Sequence, residues 1–195
     1  MNTTKKDPEV KSITTLFQGE HLAIEQATVQ QDDNNQGKWE FIGRGPTVGA
    51  IVEHTQNNSF ILISEYRVPF QQRIISLIGG MCDKNISRTQ ITAEEIREET
   101  GYTADHIEAI TYNSPKSAGL TDETVDLFYA TVSGTPQAQK LGSSEAIDVI
   151  EVAKSDIYKF LKQKEAQGIG VSSGIGDALF ELLMRGKINI SDLQG

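Results

Sequence analysis

The first three quarters of the chain consist mainly of short segments in which apolar residues alternate with polar ones or form continuous runs. These patterns are typical of β-strands, and they are strongest over residues 47–54 and 59–67, which are rich in valine, isoleucine and phenylalanine. Similar segments predict two strands around Gly19 within residues 12–30, and single strands over residues 38–44, 107–112, 124–132 and 146–152. Residues 1–12 are polar, and we expect them to lie outside regular structure.

Helical periodicity replaces this alternation in three places. Residues 92–100 contain no helix breaker, and Gly101 suits the left-handed turn that ends a helix. Ser87 and Gln90 have the spacing of a capping box that would open this helix. Apolar residues at helical spacing predict two further helices, over residues 156–166 and 175–184. This order of elements predicts an α/β (α+β) fold with a mixed sheet and helices on both faces.

Four glutamates are concentrated in the first predicted helix. Glu95 precedes Glu98 by three residues and Glu99 by four, so these carboxylates project from one face of the helix. Like charges in this arrangement destabilise a helix by about 0.2–0.5 kcal/mol per pair unless a cation lies between them. Hard oxygen ligands of this kind favour Mg2+ or Mn2+. The alternative is a solvated acidic face on which Arg97 pairs back to Glu94.

The wider spacing of these residues resembles the Nudix box, G-x5-E-x7-R-E-U-x-E-E-x-G-U, in which U is an apolar residue. The matching positions are Gly80, Glu95, Ile96, Glu98, Glu99, Gly101 and Tyr102. Two positions depart from the pattern, because Ile86 replaces the first glutamate and Glu94 replaces the arginine. The resemblance implies that Glu95 and Glu99 bind a metal ion. It also implies that the departures weaken the surrounding polar network, and that Arg97 supplies part of the missing positive charge.

The resemblance covers roughly residues 15–185 and is greatest to the Nudix branch that hydrolyses ADP-ribose and nucleoside-diphosphate sugars. The segment EYRVPFQQRIISLIGG is similar to the QYRxP...ElPAG run of that branch. This similarity implies that Arg67 contacts the substrate and that the Gly79 backbone carbonyl reaches the metal. Ser76 replaces the glutamate that precedes the turn in this branch, and is a third departure.

The same branch implies roles for residues outside the box. Pro115 and the SAGLTDE loop after it lie where the branch has a proline followed by a PGLT-like loop. Trp39 is at the position of an aromatic residue that stacks on adenine, and with Arg44 it is implied to bind substrate; its alternative role is core or dimer packing. A general base is implied to come from a loop after the box, for which Glu145 is the preferred candidate and Glu123 the second. Glu98 is implied to support catalysis within the acidic cluster.

These implications predict a Nudix-like α/β/α sandwich, with N-terminal strands over residues 1–45 as an appendage and a hydrolase domain over residues 46–195. The implied reaction is hydrolysis of ADP-ribose or a related nucleoside-diphosphate sugar to a nucleoside monophosphate and a sugar phosphate, with Mg2+ or Mn2+ as cofactor. Because this branch commonly exchanges its N-terminal strands between subunits, we expect a homodimer. The alternative is a catalytically weakened Nudix fold that binds a nucleotide ligand as a sensor or interaction module, and the departures at positions 76, 86 and 94 favour it.

Composition restricts the compartment and the partners. The chain has 18 basic and 27 acidic residues, a net charge of −9, and no basic stripe, so we expect it to bind neither nucleic acid nor an anionic membrane. Cys82 is the only cysteine, which excludes an intrachain disulfide and is typical of a reducing compartment. The N-terminus has no apolar signal core, and no apolar run approaches the ~20 residues of a membrane span. We therefore expect a cytoplasmic protein.

Overall fold

A computed structural model describes residues 7–32, 35–143 and 145–193. The chain forms two compact units, of which the first comprises Met1–Pro46 and Ser114–Thr124 and the second comprises Thr47–Asn113 and Val125–Gly195. The sequence pattern predicts residues 114–124 to be part of the larger domain, whereas the structure includes them in the smaller unit. The reason is backbone pairing, since the Ile42 N–H donates to the Leu120 carbonyl at 2.8 Å and Ile42 also forms a parallel bridge with Thr121.

The first unit contains a three-stranded antiparallel sheet in the order β1-β2-β3. Its strands are β1 (Glu9–Gln18), β2 (Ala23–Asp32) and β3 (Asn35–Gly43). The strands expected on both sides of Gly19 and over residues 38–44 are confirmed. The expectation for residues 9–12 is wrong, because these residues join the β1–β2 ladder although every residue of β1 is exposed. Residues 1–6 and 33–34 lie outside the described residues.

The second unit contains a mixed sheet, which has seven strands in the described part of the chain. These are β4 (Thr47–His54), β5 (Ser59–Arg67), β6 (Gln72–Ser76), β7 (Ala104–Pro115), β8 (Thr124–Val132), β9 (Ile147–Ala153) and β10 (Gly170–Val171). The order is β10-β6-β5-β4-β8-β7, and β9 pairs with β5. The β4–β8 and β6–β10 pairs are parallel, while β5 is antiparallel to β4, β6 and β9. The sequence pattern did not indicate β10, which is only two residues long.

Helices cover both faces of this sheet, as predicted. They are α1 (Arg88–Thr100), α2 (Ile157–Ala166) and α3 (Ser173–Met184), and short 3-10 turns occupy Val68–Phe70, Lys154–Asp156 and Ile190–Leu193. On one face, Ile91 and Ile96 of α1 pack with Ile63 of β5 in one apolar core. On the other face, α2 and α3 pack against a second core that contains Leu62 and Leu127. Among the described residues, no helix has the length and apolar character needed to span a bilayer.

Local sequence signals fix both ends of α1. The Ser87 hydroxyl accepts a hydrogen bond from the Gln90 N–H at 3.2 Å, and the Gln90 side chain accepts one from the Ser87 N–H at 3.0 Å, so the predicted capping box is confirmed. The helix consequently starts at Arg88, directly after the predicted cap. At its end, Gly101 adopts a left-handed conformation with φ of 79°, where a glycine is favoured. This capping holds the acidic residues in one rigid turn.

Candidate functional site

The end of α1 packs against the paired-glycine turn that follows β6. The Gly79 N–H donates to Glu99 Oε2 at 3.0 Å. A Cβ at Gly79 would overlap the Val48 carbonyl oxygen, and a Cβ at Gly80 would overlap the Glu95 carboxylate. The close approach of this turn to the β4 backbone therefore requires a glycine at position 79, whereas a side chain at position 80 would displace the Glu95 carboxylate. Among the described residues no hydrogen bond is donated to the Gly79 carbonyl, whereas the Gly80 carbonyl accepts from Val48 at 2.9 Å.

Glu99 is a buried acid with only 5% of its surface exposed. Burial raises the pKa of its carboxyl group to about 8, although the hydrogen bond from Gly79 acts in the opposite direction. The negative charges of Glu95, Glu65 and Glu145 raise this pKa further. Carboxylates from the helix, from β5 and from the β8–β9 loop therefore affect one another electrostatically.

Glu95 has a similar environment one helical turn earlier. Burial raises the pKa of its carboxyl group to about 7, and the charges of Glu98 and Glu145 add to this shift while Lys84 opposes it. Within the described residues, neither Glu95 nor Glu99 forms an ion pair with a basic side chain. The site therefore combines buried acids with too little positive charge to neutralise them.

Glu65, at the end of β5, is a member of this acidic group that the sequence did not indicate. Its side chain is 12% exposed and pairs with Arg67 Nη2 at 2.8 Å. Burial raises the pKa of the Glu65 carboxyl group, Arg67 lowers it, and the charge of Glu145 raises it. A signal was present, because Glu65 has the same strand parity as the buried residues Ile61 and Ile63.

The β8–β9 loop carries Glu145, the preferred candidate for the general base. Its exposed carboxylate accepts a hydrogen bond from the Gly142 N–H at 2.6 Å, and its charge raises the pKa of Glu65, Glu95 and Glu99. The structure thus brings Glu145 into the electrostatic environment of the acidic helix. Its role as a base stays a prediction.

Arg97 does not take either of the roles that the sequence indicated. Its guanidinium donates to the Gln137 side-chain oxygen at 2.7 Å and to the Ala138 carbonyl at 3.2 Å. The Lys140 N–H also donates to the Glu98 carbonyl at 2.8 Å, so residues 137–140, which we call the α1 connector, are bound to the end of the helix. Arg97 therefore anchors the connector, and the expected pairing with Glu94 is wrong.

The three positions that depart from the family pattern differ in their surroundings. Glu94 pairs with Lys84 Nζ at 2.5 Å, and Ile86 is partly exposed. Ser76 is buried, with 9% exposure, and its hydroxyl is the one buried side-chain polar atom in the described residues without a hydrogen-bond partner. The replacement of a glutamate at this position therefore leaves a small, unsatisfied polar group in the sheet.

The remaining predicted site residues lie in the first unit. Trp39 is on β3 opposite Ala27 and is 58% exposed, which excludes a role in the core of this unit. Arg44 Nε pairs with Glu123 at 3.5 Å, and the Arg44 N–H donates to Asp122 Oδ1 at 2.8 Å. Glu123, the second candidate base, is thus paired with a predicted substrate-binding arginine. Gly79, Arg67 and the other predicted glutamates lie in the second unit.

Comparison with solved structures identifies the fold. The structure matches one described as an ADP compounds hydrolase with a TM-score of 0.63 and 15% sequence identity, covering 79% of this chain and 84% of that one. The predicted mixed α/β architecture is thereby confirmed. No family model matches the chain.

Curated relatives identify the class of protein. The chain is 28% identical over 165 residues to an ADP-ribose pyrophosphatase of Bacillus subtilis, covering 82% of this chain and 87% of the relative. It is 24% identical over 173 residues to putative nudix hydrolase 2 of Caenorhabditis elegans, covering 81% and 78%. It is also 26% identical over 159 residues to a methanol dehydrogenase activator of Bacillus methanolicus, covering 80% and 85%. The chain is thus related to an ADP-ribose pyrophosphatase and to a putative Nudix hydrolase, as its box residues indicated.

Proposed function

We propose that the protein hydrolyses the diphosphate bond of ADP-ribose or a related nucleoside-diphosphate sugar, with Mg2+ or Mn2+, to a nucleoside monophosphate and a sugar phosphate. The observation that carries this proposal is the pair of carboxylates of Glu99, which is buried, and Glu95, which is partly buried, beside the Gly79–Gly80 turn. Their raised pKa values and their lack of a basic partner favour a divalent cation as the missing positive charge.

The donor atoms suit such a cation. Carboxylate oxygens and the Gly79 carbonyl oxygen, which accepts no hydrogen bond from the described residues, are hard ligands of the kind that Mg2+ and Mn2+ prefer. In the described ranges no three His, Cys, Asp or Glu side chains are already grouped closely enough to hold a metal ion. Side chains of this acidic group would consequently have to move together as the cation binds. A bound cation would neutralise phosphate oxygens and lower the pKa of an attacking water.

The other residues act on the substrate and the proton. Arg67 presents a guanidinium fork that can bind a diphosphate oxygen, and Trp39 and Arg44 bind the nucleoside part. Glu145 accepts a proton from the attacking water, with Glu123 as the second candidate. Glu98, three residues after Glu95, contributes to the negative charge of the cluster.

The first unit supports a homodimer as part of this proposal. Large apolar side chains are exposed on its strands, including Val10, Ile13, Leu16 and Phe17 of β1 and Trp39 of β3. Exposed apolar surface of this extent is typical of an interaction surface. A second copy of the chain is the partner that the Nudix resemblance implies.

A second candidate function has specific support. One relative is named as an activator of another enzyme, and the Nudix box departs at Ile86 and Glu94. A protein that binds a nucleotide ligand as a sensor or interaction module would keep Trp39 and Arg67 without needing turnover.

The deciding experiment is incubation of the purified protein with ADP-ribose and Mg2+, followed by detection of AMP. We expect AMP release from the wild type and almost none from Glu99→Gln. The control is Glu108→Gln, which removes a partly exposed carboxylate on β7. Failure to cleave any diphosphate substrate with Mg2+ or Mn2+, combined with measurable nucleotide binding, would favour the sensor function.

A further inference from the structure

The pairing of strands places Glu65 on the side of the sheet that faces α1. Ile63 of β5 lies opposite Ser76 of β6, and Ile63 belongs to the apolar core under α1. Side chains two residues apart on a strand share a face, so Glu65 points to the same side. On the other edge of β5, Glu65 lies opposite Ile147, which is also part of this core. Glu65 and Ser76 therefore share the sheet surface that the helix covers.

Glu65 is also electrostatically linked to the acids above it. Its charge raises the pKa of Glu99, and the charge of Glu145 raises the pKa of Glu65. Its only ion pair in the described residues is with Arg67, at 2.8 Å, although the Arg67 side chain is 46% exposed. The Glu65 carboxylate, at the edge of the acidic group, is thus paired with an arginine side chain that solvent can reach.

Ser76 supplies an independent observation. Its hydroxyl is more than nine-tenths buried and has no hydrogen-bond partner in the described part of the chain. A buried hydroxyl without a partner destabilises the folded protein, and a bound ligand that hydrogen-bonds to it would offset this cost. In the resembled branch a glutamate stands at this position, so the serine removes a carboxylate from β6 while Glu65 offers one from the adjacent strand.

We propose that Glu65 is a ligand of the divalent-cation site, supplying from β5 the carboxylate that is absent at position 76. This inference rests on the proposed function. With the cation bound, the Glu65 carboxylate would hold it in place of its contact with Arg67, which would leave the Arg67 guanidinium free to bind a diphosphate oxygen. The Ser76 hydroxyl, on the same face of the sheet, would be available as a hydrogen-bond partner.

Calorimetric titration with Mn2+ alone, at about pH 7.5, tests this assignment without requiring turnover. Fewer carboxylate ligands weaken divalent-cation binding, so Glu65→Gln should raise the Kd for Mn2+ about tenfold or more. Glu108→Gln, which removes an equal charge from a partly exposed site on β7, should change the Kd by less than about twofold. Returning the carboxylate to β6 in Glu65→Gln with Ser76→Glu should recover most of the lost affinity.

The outcomes separate this inference from the proposed function. A wild type that binds Mn2+ and releases AMP, together with a Glu65→Gln variant of unchanged Kd, would overturn the role of Glu65 alone. A wild type that neither binds Mn2+ nor cleaves a diphosphate would overturn both. If Glu65→Gln does not fold, Glu65→Asp provides the test: the shorter carboxylate should weaken Mn2+ binding, and an unchanged Kd would reject the assignment.

Discussion

The buried carboxyl group of Glu99 makes the stability of the cation-free protein depend on pH. Its pKa is about 8 in the folded protein, compared with 4.5 for an ordinary glutamate. A carboxyl group with a raised pKa has no effect on folding where it is protonated in both states, and it destabilises the folded state above its unfolded pKa. Stability should therefore increase as the pH falls from about 8 towards about 4.5. Glu99→Gln should remove the part of this dependence that Glu99 contributes.

The magnitude follows from the two pKa values. Linkage gives a destabilisation of about 4 kcal/mol at about pH 8 and about 1 kcal/mol at about pH 5. The free energy of unfolding of Glu99→Gln should exceed that of the wild type at both pH values. This difference should be about 3 kcal/mol larger at about pH 8 than at about pH 5. A glutamine side chain keeps an oxygen that can accept the hydrogen bond from Gly79, so that contact largely cancels in the comparison.

Urea denaturation at these two pH values, with a chelator present, measures both free energies of unfolding. Glu108→Gln is the matched control, because a hydrogen bond from Lys187 lowers the pKa of Glu108. That variant should be less stable than the wild type at both pH values, the opposite sign from Glu99→Gln. If the stability advantage of Glu99→Gln over the wild type is equal at both pH values, the conclusion that the Glu99 carboxyl group is buried without a compensating charge is refuted.

Other parts of the site give further predictions. Saturating Mg2+ at about pH 8 should stabilise the wild type by about 2–3 kcal/mol, measured through a rise in its melting temperature, but should stabilise Glu99→Gln much less. Equal shifts in melting temperature would reject the metal assignment. Arg97→Ala should speed amide exchange in the α1 connector, whereas unchanged protection would contradict its anchoring role. Trp39→Ala should raise KM for ADP-ribose about fivefold or more with little change in kcat, and an unchanged KM would exclude base stacking. Glu94→Arg combined with Ile86→Glu should raise kcat; unchanged kinetics would indicate a different polar network around the metal.

The parts of the structure that were predictable depend on residues close together in sequence. Strands β4 and β5 match their predicted bounds, and the capping box and Gly101 fix α1 as expected. The acidic cluster of Glu95 and Glu99 was predictable for the same reason, because helical spacing alone puts their side chains on one face. These features need only the periodicity of an element and the chemistry of its ends.

The contacts of Arg97 and Glu65 were not predictable in this way. Arg97 has an acidic neighbour one turn away, yet its partners lie about 40 residues along the chain. Glu65 reaches the acidic group only because β5 pairs with β6 and β9 in a particular register. A one-residue slip in either ladder would turn its side chain to the opposite face.

The sequence by itself determined the resemblance to the Nudix box, most of the strands and helices in their order along the chain, and a helix with its acids on one face. Only the tertiary structure decided how far those acids are buried and that Glu65 lies near them. It also decided that no basic side chain of the described residues forms an ion pair with Glu95 or Glu99. The physical reason is that periodicity and capping act within a few residues. Burial and charge coupling, in contrast, depend on the packing of the sheet, the helix and the connecting loops.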